Sequence, residues 1–323
     1  MKYKLVLGAG GFIGNHMVNR LKAEGHDVIG VDIKNTEFSE SKADIFQLGD
    51  LTDFVFVDSL FKNYEFSEIY QYAADMGGAG YIFTGENDAN VMHNSSLINL
   101  NILKSASEHQ DSDKLKIFYS SSACIYPESL QLEAEDVSLR ESDAYPANPD
   151  SEYGWEKLFS ERMYLAFAKN FNLNVRIARF HNIYGPLGTW NNGKEKVPAA
   201  ICRKIAEANS PGEIEIWGDG EQTRSFLFID DCIEATRRLM NSDFNQPINI
   251  GSDENVSINE LAKIVAEISN KNISLKHIDG PLGVRGRNSN NELIRNTLDW
   301  NYEYTLKEGM RITYEWINGE LNK

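Results

Sequence analysis

The stretch Gly8-Ala9-Gly10-Gly11-Phe12-Ile13-Gly14 constrains this chain more than any other because of what flanks it. Before it, Lys4-Leu5-Val6-Leu7 reads as a short buried strand; after it, Met17, Val18 and Leu21 recur at helical spacing. A glycine triplet alone is a weak signal, but strand, glycine turn and helix in succession is a strong one. Glycines at 8, 11 and 14 let the backbone turn tightly and approach a pyrophosphate, whose charge would meet the N–H groups at the helix start, around Phe12 and Ile13. The next strand candidate, His26 to Asp32, ends in an acid about twenty residues past the glycines. Asp32 is the expected ligand of the adenosine ribose hydroxyls, and its charge would repel a 2′-phosphate, so the cofactor read from these residues is NAD rather than NADP.

Gln47 to Leu51 looks like the third strand and its exit, with Asp50 and Leu51 bracketing the adenine. The apolar run Glu68 to Ala74 follows, and Tyr72, Ala73 and Ala74 at its end leave room for the cofactor. The glycine-rich loop Asp75-Met76-Gly77-Gly78-Ala79-Gly80 would wrap the nicotinamide side or the sugar, with Met76 assigned to the cofactor and Gly78 to the substrate. Lys116 to Tyr119 is a further buried strand that carries Ser120 to Cys124 at its C-terminal end, where open parallel sheets place their sites. Tyr153 and Lys157, four residues apart, share a helix face, and the ammonium is expected to lower the phenol's pKa toward neutrality. With the Ser122 hydroxyl on the same substrate oxygen, such a site takes a proton from an alcohol as hydride leaves its carbon. By itself the Tyr-x-x-x-Lys spacing also describes a surface pair on many amphipathic helices.

Asn174 to Phe180 reads as another strand, after which the strand-helix alternation breaks down. The expected fold is α/β: a Rossmann doubly wound parallel sheet with a smaller, discontinuous C-terminal α/β substrate lobe. The division expected is 1–180 with 224–255 for the NAD-binding part and 181–223 with 256–323 for the nucleotide-sugar lobe. A net charge of -16 argues against nucleic-acid or anionic-membrane partners, which need a basic face. Cys124, Cys202 and Cys232 show neither metal-ligand spacing nor a disulfide framework, and the N-terminus enters a strand without a long hydrophobic segment, so a reduced cytoplasmic setting without a metal is expected.

Longer runs add a resemblance that covers nearly the whole chain. Ala73-Ala74-Asp75-Met76-Gly77-Gly78, Ser121 to Pro127, Arg179 to Pro186, Trp217-Gly218-Asp219-Gly220, Gln222 to Phe226 and Gly283 to Ser289 resemble the extended short-chain dehydrogenase/reductases that modify nucleotide sugars, and within them the GDP-mannose 3,5-epimerases. The resemblance implies that bound NAD oxidises carbon 4 of the hexose, that the ketone makes carbons 3 and 5 enolisable, and that the hydride then returns. It implies Tyr153, Lys157 and Ser122 at the hydroxyl, Cys124 as the base, and Lys196 as the proton donor, with Lys194 its local rival. Asn182, Lys204, Gln222, Arg285 and Arg287 resemble the family's nucleotide and sugar contacts, and a homodimer is implied through helices around Asn94–Ser107 and Tyr153–Lys169. The expected reaction is GDP-mannose to GDP-L-galactose, with GDP-L-gulose as a further product. Its rivals are a GDP-sugar epimerase that inverts one centre or uses a modified mannose, a carbon-4 epimerase, a 4,6-dehydratase and a non-catalytic NAD-binding regulator.

Overall fold

Leu5 and Leu7 face one side of their strand and Val6 the other, and all three are fully buried, which requires a central strand covered on both faces. The computed structural model describes residues 2–323 except Asp113, Asp136, Pro281 and Leu282, and only the backbone of Ala79. The chain begins with β1 (Tyr3–Leu7), α1 (Phe12–Ala23), β2 (Val28–Asp32), β3 (Ile45–Leu48), α2 (Phe54–Asn63), β4 (Phe66–Gln71), α3 (Ala79–Ile82), α4 (Asp88–His109) and β5 (Lys116–Ser122). It continues through α5 (Glu152–Phe171), β6 (Asn174–Phe180), β7 (Ile183–Tyr184), α6 (Val197–Glu207), β8 (Gly212–Trp217), β9 (Thr223–Ser225), β10 (Leu227–Phe228) and α7 (Ile229–Asn241). It closes with β11 (Ile248–Ile250), β12 (Asn255–Ser257), α8 (Ile258–Ser269), β13 (Ile273–Ile278), β14 (Gly286–Arg287), α9 (Glu292–Leu298) and α10 (Leu306–Leu321).

The main sheet has the order β11-β6-β5-β4-β1-β2-β3, and every neighbouring pair is parallel. This is the doubly wound Rossmann sheet that the glycine turn implies. Leu7 at the end of β1 pairs with Val31 on one side and Gln71 on the other, so the glycine turn leaves β1 at the crevice where the winding reverses. Alternation along the strands produces two apolar layers. Val6, Tyr70, Phe118 and Ala178 pack with α1 and α7, while Leu5, Leu7, Ile69, Ile117 and Ile177 pack with α2, α4 and α5.

Beyond β6 the chain builds smaller sheets, a parallel β8–β13 pair and a three-stranded β12-β9-β14 sheet, covered by α6, α8 and α10. Arg224, expected to open the return to the main sheet, lies in β9, the middle strand of this three-stranded sheet. Antiparallel pairing with β12 and parallel pairing with β14 satisfy its backbone on both sides. The return runs instead through β10 and α7, and β11 then joins the main sheet beside β6. Among the described residues, no helix is long and apolar enough to cross a membrane.

Helix α5 is capped by Ser151, whose hydroxyl accepts from the Gly154 N–H at 3.2 Å. The helix presses so closely on the chain leaving β5 that a Cβ on Gly154 would lie 2.2 Å from the Cys124 carbonyl oxygen. Two turns on, Glu161 accepts from Arg179 of β6 at 2.9 and 3.0 Å and from the Ser121 hydroxyl at 2.5 Å, all in the interior. Removing one partner of such a pair strands the other charge without water. Glu161→Leu is therefore expected to cost about 3–5 kcal/mol of stability, read as a lower urea midpoint. The double variant Glu161→Leu/Arg179→Met should recover a large part of that loss.

Candidate active site

In the turn after β1, Gly8, Gly10 and Gly14 leave no room for a Cβ, whereas Gly11 meets only the Gly8 carbonyl oxygen at 3.3 Å. Gly8 has φ +83, and a Cβ on Gly14 would lie 2.1 Å from the Gly8 carbonyl oxygen. A Cβ on Gly10 would lie 3.0 Å from the Asp32 carboxyl carbon. Gly11 caps α1 with no side-chain hydrogen bond, which leaves the first-turn N–H groups, including those of Phe12 and Ile13, to an outside acceptor. Asp32 accepts from the Gly10 N–H at 2.9 Å and the Lys34 N–H at 3.1 Å, so it braces the turn beside the place expected for a ribose. Asp50 is exposed and closes a turn with Thr52, whereas Leu51 is buried, its carbonyl bonded to Asn101. Tyr72, Ala73 and Ala74 follow the end of β4 and are half-buried, and Met76 is exposed on the loop beyond.

Ser122 is the last residue of β5, and its hydroxyl accepts from the Cys124 N–H at 3.2 Å, capping a single 3-10 turn over Ala123–Ile125. The close approach at Gly154 brings Tyr153 and Lys157 against this turn. Lys157 is buried, donates to the Ser120 carbonyl at 3.2 Å, and lies 5.6 Å from the centre of the Tyr153 ring. The expected lowering of the Tyr153 phenol is not what the protein alone produces. Burial raises it, the Cys124 and Glu156 charges add to that, and the Ser122 hydroxyl and Arg287 only partly oppose it. Burial likewise lowers Lys157, against the charges of Glu156 and Cys124.

Cys124 meets a guanidinium. Arg287 donates to its Sγ at 3.0 Å, to Asp150 at 2.8 Å and to Gln131 at 2.5 Å. Burial works against the Arg287 charge, but Cys124 and Asp150 hold it on and raise its pKa. Arg224 is close enough to be lowered to about 10, first by burial and then by the Arg287 charge. Lys196 stands at the start of α6 with part of its surface open, while the protein around its ammonium lowers its pKa and the Cys124 charge opposes that. Its rival Lys194 is engaged elsewhere, with its ammonium 4.5 Å from the Tyr81 ring centre, and the Tyr81 hydroxyl bonds Asp75. A Cβ on Gly78 would lie 2.7 Å from the Glu195 carbonyl oxygen, so the glycine loop and the lysine loop touch only because Gly78 has no side chain.

The expected sugar and nucleotide contacts are more scattered. Asn182 sits at φ +45 and donates to the Ser225 carbonyl at 2.8 Å. The Lys204 ammonium donates to the Glu215 carbonyl at 2.6 Å, and Arg285 forms a two-point pair with Asp219 at 2.8 and 2.9 Å. Gln222 donates to the Trp217 carbonyl at 3.3 Å, and its own amide oxygen is buried without a partner among the described residues. Cys202 and Cys232 are buried on helices, where desolvation pushes both thiols up. His181 is neutral, pushed down to about 3 by burial, and bonds Asn249.

Residues 4–251 match the model of the NAD dependent epimerase/dehydratase family. The chain belongs to that family. It is 48% identical over 98% of its length, and 82% of the relative's, to GDP-mannose 3,5-epimerase of Arabidopsis thaliana. GDP-mannose 3,5-epimerase 1 of Oryza sativa subsp. indica is 46% identical with the same shares covered. In fold it is similar to the UDP-glucose 4-epimerase of Thermotoga maritima solved with UDP-glucose, with a TM-score of 0.87, 23% identity and 99% of each chain covered.

The family's cofactor is NAD, and the residues present fit it. The uncapped start of α1 suits a diphosphate, the glycines leave no Cβ in its way, and Asp32 supplies a carboxylate beside the turn. Sequence reasoning missed Gln131 and Asp150 as partners of the Cys124 site and had placed Arg287 only among the substrate contacts. The residues that Arg287 joins lie 137 to 163 positions away from it, beyond the reach of any local spacing rule. Asp32→Ser in this epimerase-family protein is expected to weaken NAD binding roughly ten- to a hundredfold, the range for lost charged hydrogen bonds. Calorimetric titration should show NADP losing much less.

Proposed function

We propose that the protein epimerises GDP-mannose at carbons 3 and 5 through a transient 4-keto sugar, to give GDP-L-galactose and, as a further product, GDP-L-gulose. The observation that carries this reading is the 48% identity to a GDP-mannose 3,5-epimerase over 98% of the chain. The thiol of Cys124, held against a guanidinium beside Tyr153 and Lys157, agrees with it.

In this reading Ser122 and Tyr153 hold the carbon-4 hydroxyl, and Tyr153 receives and later returns its proton, supported by Lys157. NAD, when bound, supplies hydride acceptance at carbon 4 and the return of that hydride. Once carbon 4 is a ketone, the Cys124 thiolate takes the proton from a neighbouring carbon and the C–H electron pair passes into the enolate. The Lys196 ammonium then protonates that carbon from the opposite face, which inverts it. Gln222 and Arg285 bind the nucleotide diphosphate end, and Arg285 exchanges Asp219 for phosphate oxygens, which suit the same two-point fork. Asn182 and Lys204 border the sugar-nucleotide path, and Gly78 leaves room for the hexose. The free cysteines suit a reducing, cytoplasmic setting.

The assembly proposed is a homodimer. Helices α4 and α5 pack side by side and leave Leu100, Trp155 and Phe159 exposed, an apolar face that a second copy would cover across a two-fold axis. Phe159→Asp should then shift the sedimenting species from dimer to monomer, and an unchanged dimer would place the interface elsewhere.

Incubation with GDP-mannose and NAD in deuterated water, followed by NMR of the sugar, tests the reaction. Deuterium is expected at carbons 3 and 5, with more than a hundredfold less in Cys124→Ser, in line with the roughly 10²–10⁴ that a placed base contributes. Label at one carbon would make the protein a single-centre epimerase. The absence of exchange would remove GDP-mannose as its substrate.

A further inference from the structure

The environment of Cys124 holds more structure than a base alone needs. The 3-10 turn over Ala123–Ile125 places Cys124 half-buried at the end of β5, with its N–H tied to Ser122. Facing it, Arg287 uses three edges of its guanidinium at once, Nε to Gln131, Nη2 to Asp150 and Nη1 to the thiol sulfur. Gln131 cannot rotate to release it, because its own amide donates to the Tyr126 and Pro127 carbonyls at 3.0 and 3.1 Å. The strand that carries Arg287 is pinned to the same residue, since the Arg285 and Gly286 N–H groups both donate to the Gln131 carbonyl. Gly286 has no room for a side chain, as a Cβ there would lie 2.2 Å from the Glu133 carbonyl oxygen. Arg287 and Asp150 are 5% and 4% exposed, so water does not screen the group that faces the sulfur.

We infer that Arg287, locked in place by Gln131 and Asp150, is a positioning residue that keeps Cys124 ionised and fixed in one orientation for proton removal. This rests on the reading of Cys124 as the base. A guanidinium stays charged across the working pH range and has no acceptor atom, so its N–H aimed at sulfur favours the thiolate over the thiol. The other charged and titratable groups that act around the thiol are Arg224 of β9, Lys196 ahead of α6, and Lys157 and Tyr153 of α5. Three of these four are cations. Among the described carboxylates near this group, Asp150 is paired with Arg287, while Glu156 and Glu161 of α5 act on Lys157 and Glu156 acts also on Tyr153. An ion pair that served only to join β14 to the loop before α5 would require Asp150 but would not require the third N–H to meet sulfur.

The test is the pH dependence of iodoacetamide alkylation of Cys124 in the NAD-loaded protein, followed by mass spectrometry. Cys202 and Cys232 are buried with raised pKa values and do not compete. In Arg287→Gln the alkylation midpoint should rise by about one to two pH units, the range for loss of an adjacent opposite charge, with alkylation at neutral pH roughly ten to a hundred times slower. Asp150→Asn breaks the same ion pair but leaves the guanidinium, so it should not raise the midpoint, and Arg287→Lys should fall between wild type and Arg287→Gln. Equal midpoints in wild type and Arg287→Gln, or equal upward shifts in Arg287→Gln and Asp150→Asn, would overturn the inference. Because this measurement uses no sugar, a wild-type midpoint that depends on Arg287 in a protein inert toward GDP-mannose would leave the clamp standing and overturn only the substrate assignment.

Discussion

Helix α5 can reach the end of β5 only because residue 154 is glycine, since any side chain there would overlap the Cys124 carbonyl. That approach sets Tyr153 and Lys157 beside Ser122 and Cys124, residues separated in sequence by the whole segment between the strand and the helix. The buried bonds from Glu161 to Arg179 and Ser121 then fix the helix against two adjacent strands. Rigid backbone and satisfied polar groups of this kind hold side chains within the tolerance that proton transfer requires. The glycine turn after β1 obeys the same logic, with Asp32 bracing the loop proposed to meet the cofactor.

The electrostatics of the site run against those of the molecule. A chain with net charge -16 gathers Lys157, Lys196, Arg224 and Arg287 around one half-buried thiol. Concentrated positive charge in a crowded crevice favours anionic forms of the groups that must give up protons, and it suits an anionic nucleotide sugar. Desolvation opposes the effect at Tyr153, where burial raises the phenol despite the Ser122 hydroxyl and the Arg287 charge. Spacing alone could not reveal this, because the i, i+4 rule reports that two groups are near and says nothing of how much water is lost around them.

What the sequence showed plainly were features with a short physical range. The glycine turn follows strand β1 and precedes helix α1 as expected, and Asn174–Phe180 is a strand over the span read for it. The break in alternation after β6 was also legible, since short polar and glycine-rich runs cannot extend a buried parallel sheet. Long-range partnerships were not legible. Arg224 was expected to open the return to the main sheet and instead lies in β9, because the choice between β12, β14 and the main sheet depends on pairing partners far along the chain. Lys194 and Lys196 are indistinguishable by composition, and the Tyr81 ring that Lys194 meets comes from the short helix after the glycine loop. The Arg287 contact with Cys124 spans 163 residues, and an Arg-Gly-Arg run does not announce a thiol.

The central claim is that one site both oxidises carbon 4 and moves protons at its neighbours. It is tested most directly with GDP-mannose deuterated at carbon 4, turned over by the NAD-loaded protein in ordinary water, with the product's carbon-4 position read by NMR. The account predicts that the deuterium is retained at carbon 4 in a product whose carbons 3 and 5 are inverted, because the same hydride returns before the sugar leaves. Inverted product that has lost the label from carbon 4 to water, or a turnover rate insensitive to removal of NAD, would contradict it.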